Sequence, residues 1–151
     1  MAEAGSIESW LTELIPDDAR LYLRVHVRQV PTGLHPGVFR EHGGAMSVDW
    51  NKYSTPEQSR HRAVDPASNG IVELSADGVR AIEDLTVLHA PDMKRRNQAH
   101  SAVHGISDPQ AHPDVRKTRV RFQLFKRFNE WLIPPDAPVD GAGGDRVTAA
   151  G

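Results

Sequence analysis

No cysteine occurs in the 151-residue chain, which excludes a disulfide scaffold and any zinc site built on thiolates. No apolar run approaches the roughly 20 residues a helix needs to cross a bilayer. The start, Met1-Ala2-Glu3-Ala4-Gly5, has neither basic residues nor an apolar stretch behind it, so no secretory signal is expected. These absences together predict a cytoplasmic protein without a membrane partner. The phosphate-cradling Gly-x-Gly-x-x-Gly and P-loop spacings are missing, as is the Gly-x-Ser-x-Gly elbow of serine hydrolases. No cofactor is therefore expected, and nucleophilic catalysis has little support. A net charge of −2 carries no global signature of nucleic-acid binding. No internal repeat is found.

What is present is the composition of one globular domain, 38% hydrophobic and 25% charged, in a chain long enough for one core. The reading divides it into a flexible start (1–5), a single α+β domain (6–133) and a disordered tail (134–151) of Pro, Gly, Ala and Asp. Ser6 is placed to cap a helix whose Ile7, Trp10, Leu11, Leu14 and Ile15 share one face, ended by Pro16. From Leu21 the period changes to two. Leu21, Leu23, Val25 and Val27 take one side of a strand and Tyr22, Arg24, His26 and Arg28 the other. Further strands are expected at Met46–Trp50, Ile71–Leu74, Leu85–His89 and Ala99–His104.

Thr55-Pro56-Glu57-Gln58 combines an N-cap, a first-turn proline and a capping-box glutamine, which predicts a short helix. Ser75 is placed to cap another, and Asn69-Gly70 reads as a turn. A long helix closes the domain from about Asp114 to Trp131. Its Val120, Leu124, Phe125, Phe128, Trp131 and Leu132 share one face, opposite Arg116, Arg119, Lys126 and Arg127. Connections this short favour hairpins, so the expected fold is a mostly antiparallel sheet with helices packed on one face.

Four features carry possible chemistry. The strand face bearing Arg24, His26 and Arg28 is richer in Arg and His than an ordinary solvated face. If it lines a cleft, Arg24 binds a carboxylate or phosphate and His26 moves a proton. The segment Asn97 to Gly105 contains His100, Ser101 and His104. On a strand the two histidines lie roughly 13 Å apart, too far to chelate one metal, and no metal site is expected. His100 is instead expected to meet Arg24 and His26 across the sheet, with Ser47 and Ser101 as hydrogen-bond donors. The Gly-Gly at 43–44 offers backbone amides to an anion, and the basic face of the last helix offers contact to nucleic acid. The segment from Lys94 to Arg127 holds nine of the eighteen basic residues, against two acids.

The series Leu21-Tyr22-x-Arg24-x-His26, Met46-Ser47-Val48-Asp49, Ser54-Thr55-Pro56-Glu57 and Ala99-His100-x-x-Val103-x-Gly105 resembles a family of small, uncharacterised bacterial proteins. The resemblance covers about residues 20 to 106, implies no activity, and selects Arg24, His26, Ser47 and His100. Locally, Arg96-Asn97-Gln98-Ala99-His100-Ser101 is similar to a segment of RNA 2′-phosphotransferases in which the histidine contacts phosphate. That similarity implies the same role for His100. Val25 and Ala99 stand where those enzymes have histidine and glycine, and Ile106 follows His104-Gly105 where they have threonine.

Two functions are expected from these residues. The first is a binding or accessory module that holds an anionic small molecule or protein group through Arg24, His26, Arg28, Ser47, His100 and Ser101. The second is a phosphoryl- or nucleotidyl-transfer enzyme acting on a nucleotide or RNA phosphate. There Arg24 neutralises charge, His100 positions the phosphate and His26 acts as acid or base.

Overall fold

A computed structural model of the chain describes residues 10–107 and 113–136. Five strands, β1 (Arg20–His26), β2 (Ala45–Trp50), β3 (Asn69–Ser75), β4 (Thr86–His89) and β5 (His100–His104), form one sheet in the order β3-β1-β2-β5-β4. Every neighbouring pair is antiparallel. Three helices accompany it: α1 (Pro56–His61), α2 (Ala76–Arg80) and α3 (Pro113–Arg127). The class is α+β.

The register turns the period-two pattern into two chemically distinct faces. Leu21 lies between Trp50 and Leu74, Leu23 beside Val72, and Val103 between Met46 and Val87. This apolar face, with Ala76 and Val79 of α2 and Val120 and Leu124 of α3, forms the buried core. Each of the Val, Leu and Met side chains among them contributes about 1.5–3 kcal/mol on burial. The opposite face carries Tyr22, Arg24 and His26 of β1, Ser47 and Asp49 of β2, and His100 of β5. The short α1 lies on that side, where its Ser59 carbonyl accepts from Arg24 Nη1 at 3.0 Å.

Local signals set several boundaries. Thr55 and Gln58 complete the capping box that starts α1, and the Ser75 hydroxyl accepts from the Gly78 N–H to start α2. β1 stops at His26, two residues before its expected end. There the imidazole accepts from the Arg28 N–H, and the His26 N–H donates to the Gln29 side chain, opening a 3-10 turn at Val27–Gln29.

Other expectations give way to tertiary contacts. Residues 10–16 are not helical, and Leu11 and Leu14 are 83% and 95% exposed; Ser6 and Ile7 lie outside the described residues. The Glu13 N–H donates to His89 Nδ1 at 3.0 Å instead of to a helical carbonyl. The Glu13 carboxylate takes Tyr53 and Lys52, whose hydrogen bonds hold its pKa below the ordinary value.

Asn69-Gly70 is strand, paired with His26 and Val25, because Gly70 accommodates the ring of Trp131. A Cβ on Gly70 would fall 2.4 Å from that ring and 2.7 Å from the Ile133 carbonyl. α3 accordingly ends at Arg127, and the chain turns so that Ile133 bridges Ile71 on the outer edge of β3. Contacts continue past the expected boundary at 133: the Asp136 N–H donates to the Ala67 carbonyl. Its carboxylate lies 2.7 Å from Arg60 Nη2, an ion pair outside hydrogen-bond alignment. Residues 137–151 of the expected tail lie outside the described residues.

Gly70→Ala is expected to displace Trp131, lower stability by about 1–3 kcal/mol and shift tryptophan emission, as read by urea unfolding followed through fluorescence. An unchanged midpoint and spectrum would show that the ring does not depend on this contact.

Candidate functional site

The β1–β2 ladder pairs only Leu21 with Trp50 and Tyr22 with Asp49. Beyond that pair a cleft of about 1300 Å³ opens, lined by Arg24 and His26 from β1, Ser47 and Asp49 from β2, and His100 from β5. Its walls come from the loop after β1, the segment after α1 and the basic turn between β4 and β5. Arg28, Ser47 and His100 thus share one concavity with Arg24 and His26. The route differs from the expected one: β5 pairs with β2 and not with β1.

Ser101 does not join them. Strand alternation turns it to the core face, where it is fully buried and its hydroxyl donates to the Ala99 carbonyl at 3.0 Å. His104 is exposed at the strand end and lies outside the cleft. Gly43 and Gly44 adopt positive φ in the turn closed by the His42–Ala45 bridge and are not part of the lining. His35 is structural: its Nδ1 accepts from Gly37 N–H, and its Nε2 is 2.6 Å from the Gln29 carbonyl. Two of the four residues expected on the basic face of α3, Arg116 and Arg119, are engaged by protein acceptors. Arg116 is buried and donates to the carbonyls of Gly105 and Glu83, so it leaves the solvated face expected for it. Arg119 bonds Glu83, and Arg121 donates to the Phe39 carbonyl. Among the described residues, no group of three His, Asp or Glu side chains is arranged to hold a metal ion.

Asp49 organises the cleft. Its side chain is 6% exposed and 2.9 Å from Arg62 Nη1. Its other carboxylate oxygen accepts from Asn97 Nδ2 at 2.9 Å. Arg62, which also donates to the Ser54 hydroxyl at 2.8 Å, caps the end of α1. Asn97 closes the turn that carries Arg95: its backbone exchanges both hydrogen bonds with Asp92, and the Asp92 carboxylate accepts from the Arg95 N–H. One carboxylate therefore ties the floor to two walls. Both of its oxygens serve this scaffold.

The electrostatics are one-sided. Arg24, Arg28, Arg40, Arg62 and Arg95 line the cleft with three aspartates, Asp49, Asp65 and Asp92. Asp49 is matched by Arg62, and among the described residues no ion pair or side-chain hydrogen bond engages the guanidinium of Arg28, Arg40 or Arg95. Desolvation lowers the Arg24 pKa from its ordinary value; nearby Asp49 opposes this, while Arg62 and Arg95 add to it. Arg24 remains a cation, beside two further guanidiniums, those of Arg62 and Arg95, that repel it.

The two cleft histidines are in different states. A backbone N–H can only donate, so His26 Nδ1, which receives that of Arg28 at 3.0 Å, carries no proton. Neutral His26 offers Nε2–H to a ligand, and its expected part as a proton shuttle is limited by the cap it makes. A carbonyl can only accept, so His100 Nδ1, 2.7 Å from the Ala90 carbonyl, carries a proton. In the neutral ring His100 Nε2 is the acceptor, and it lies 3.1 Å from Ser47 Oγ. Ser47 stands opposite Ala102, two residues from His100 on the same face, and this diagonal is within reach of an imidazole. The hydroxyl–imidazole pair was not foreseen from sequence, because it depends on which strands are neighbours.

No family model, curated protein or solved structure matches the chain.

Asp49→Ala is expected to cost about 2–3 kcal/mol, since it leaves Arg62 and the buried Asn97 without their acceptor. Denaturant titration measures the loss. A change within about 0.5 kcal/mol, the scale of an ordinary surface substitution, would remove Asp49 from its organising role.

Proposed function

We propose that the cleft is an anion-recognition site, and that the protein acts as a binding or accessory module for a ligand or partner group bearing phosphate or carboxylate. The observation that carries this reading is the convergence of five arginines on one cleft, three of them without an ion-pair partner among the described residues. Guanidinium forks favour bidentate contact with such oxyanions. Neutral His26 adds an Nε2–H donor, and Arg24 and Arg95 approach the site from the sheet and the basic turn. The volume, about 1300 Å³, exceeds the roughly 300–1,000 Å³ of common small-molecule pockets. That favours a nucleotide-sized ligand or the phosphate-bearing end of a larger one.

The second reading, phosphoryl or nucleotidyl transfer on a nucleotide or RNA phosphate, is favoured by the Ser47–His100 pair alone. Contact between nucleic acid and the outer face of α3 has less support, because Arg116, Arg119 and Arg121 already bond protein groups. Among the described residues, no helix is long and apolar enough to cross a membrane.

Thermal unfolding with added pyrophosphate tests the proposal. Saturation at about 100 times the dissociation constant is expected to stabilise the fold by about 2.7 kcal/mol. Arg24→Ala is expected to fold and to weaken binding by about tenfold or more, the loss of one charge-assisted contact. No stabilisation by pyrophosphate or ATP, or full binding by Arg24→Ala, would contradict the site.

A further inference from the structure

We infer that Ser47 is a nucleophile and His100 its general base, so that the cleft carries out transfer of a phosphoryl group through a covalent serine intermediate. The inference deepens the anion-recognition reading and rests on it for the substrate class.

The geometry supplies the parts such a step requires. Ser47 Oγ is exposed within the cleft and 3.1 Å from His100 Nε2. The tautomer is set by the Ala90 carbonyl, 2.7 Å from Nδ1. That carbonyl occupies the place where a carboxylate orients the base in a triad. Both side chains are mounted on paired central strands, and the facing Ala102 is too small to crowd the hydroxyl. Asp49 does not compete for either group, since its oxygens are taken by Arg62 and Asn97.

In the forward step Ser47 Oγ attacks phosphorus, and the Oγ–P bond forms as the bond from phosphorus to the leaving oxygen breaks. The serine proton passes to His100 Nε2. The resulting imidazolium, still held through Nδ1–H by the Ala90 carbonyl, returns that proton to the leaving oxygen. In the second step a water or an acceptor hydroxyl gives its proton to neutral His100 and attacks phosphorus. The Oγ–P bond breaks, and Ser47 regains the proton. Arg24 and Arg95 line the same cleft, and in this step their charge offsets that of the phosphoryl oxygens.

Ser47 is thereby the reacting residue and His100 its partner, whereas His26, its Nδ1 engaged by Arg28, is a donor to the substrate. This differs from the sequence expectation, which gave His100 a positioning role and named no nucleophile.

An alkyl fluorophosphonate reads the nucleophile directly: attack forms Oγ–P, breaks P–F and releases fluoride, with the serine proton taken up by base. Intact-mass and peptide mass spectrometry are expected to find one adduct, on Ser47. The adduct should be absent from Ser47→Ala and form at least about 100-fold more slowly in His100→Ala, the usual scale of a general base. His100→Gln serves as a second variant if the alanine form does not fold. Pyrophosphate binding, measured on the same samples, separates the two readings. Binding by the unmodified protein and by Ser47→Ala without any Ser47 adduct overturns the nucleophile and leaves the anion site standing. A His100-dependent Ser47 adduct without pyrophosphate binding supports the nucleophile and removes the phosphoryl substrate class. Labelling elsewhere, or at a rate indifferent to His100, overturns the inference.

Discussion

The carboxylate of Asp49 is the interaction on which the cleft depends. It sits on the polar face of the sheet, nearly inaccessible, and receives one donor from the end of α1 and another from the turn before β5. Burying a carboxylate is costly unless its oxygens are satisfied, and here both are. The physical consequence is mechanical as well as electrostatic. Arg62 and Asn97 cannot move away from β2 without exposing that cost, so the segments carrying Arg62 and Arg95 stay close to the floor. The excess of positive charge is held open in this way, because the one fully engaged acid neutralises Arg62 and leaves the other guanidiniums available.

The two histidines on the cleft illustrate how backbone partners decide chemistry. Each ring has one nitrogen committed to a main-chain group, but the groups have opposite character. The N–H of Arg28 leaves His26 as a donor toward the cleft, and the carbonyl of Ala90 leaves His100 as an acceptor. Under the proposed function, a ring donor, a ring acceptor and several cations are what an oxyanion beside a hydroxyl that loses its proton requires. The Ser47 hydroxyl lies 3.1 Å from the His100 nitrogen that would accept its proton.

Much of the frame was legible in the sequence. The alternation of Leu21, Leu23 and Val25 defined β1 and its buried face, and Thr55 to Gln58 defined the start of α1, because these signals are local. Arg24, His26, Arg28, Ser47 and His100 were likewise visible as polarity without a core purpose. What sequence could not supply was register and loop placement. Arg62, Arg95, Asn97 and Arg40 reach the cleft from connecting segments, and the Ser47–His100 contact follows from β2 and β5 being neighbours. Ser101 was misplaced by a single step of the period-two rule, which turns it into the core. The expected N-terminal helix and the Asn69-Gly70 turn both yielded to long-range contacts, with His89 and with Trp131, that no local pattern announces.

The most direct test of anion recognition by the cleft is which arginines sense a bound phosphate. Side-chain Nε–H resonances can be followed by nitrogen-15 NMR as pyrophosphate is added. The account predicts shifts for Arg24, Arg28, Arg40 and Arg95, with Arg116 and Arg119 on α3 unmoved because their Nε–H groups already bond Gly105 and Glu83. Shifts confined to α3, or spread evenly over all arginines, would contradict it.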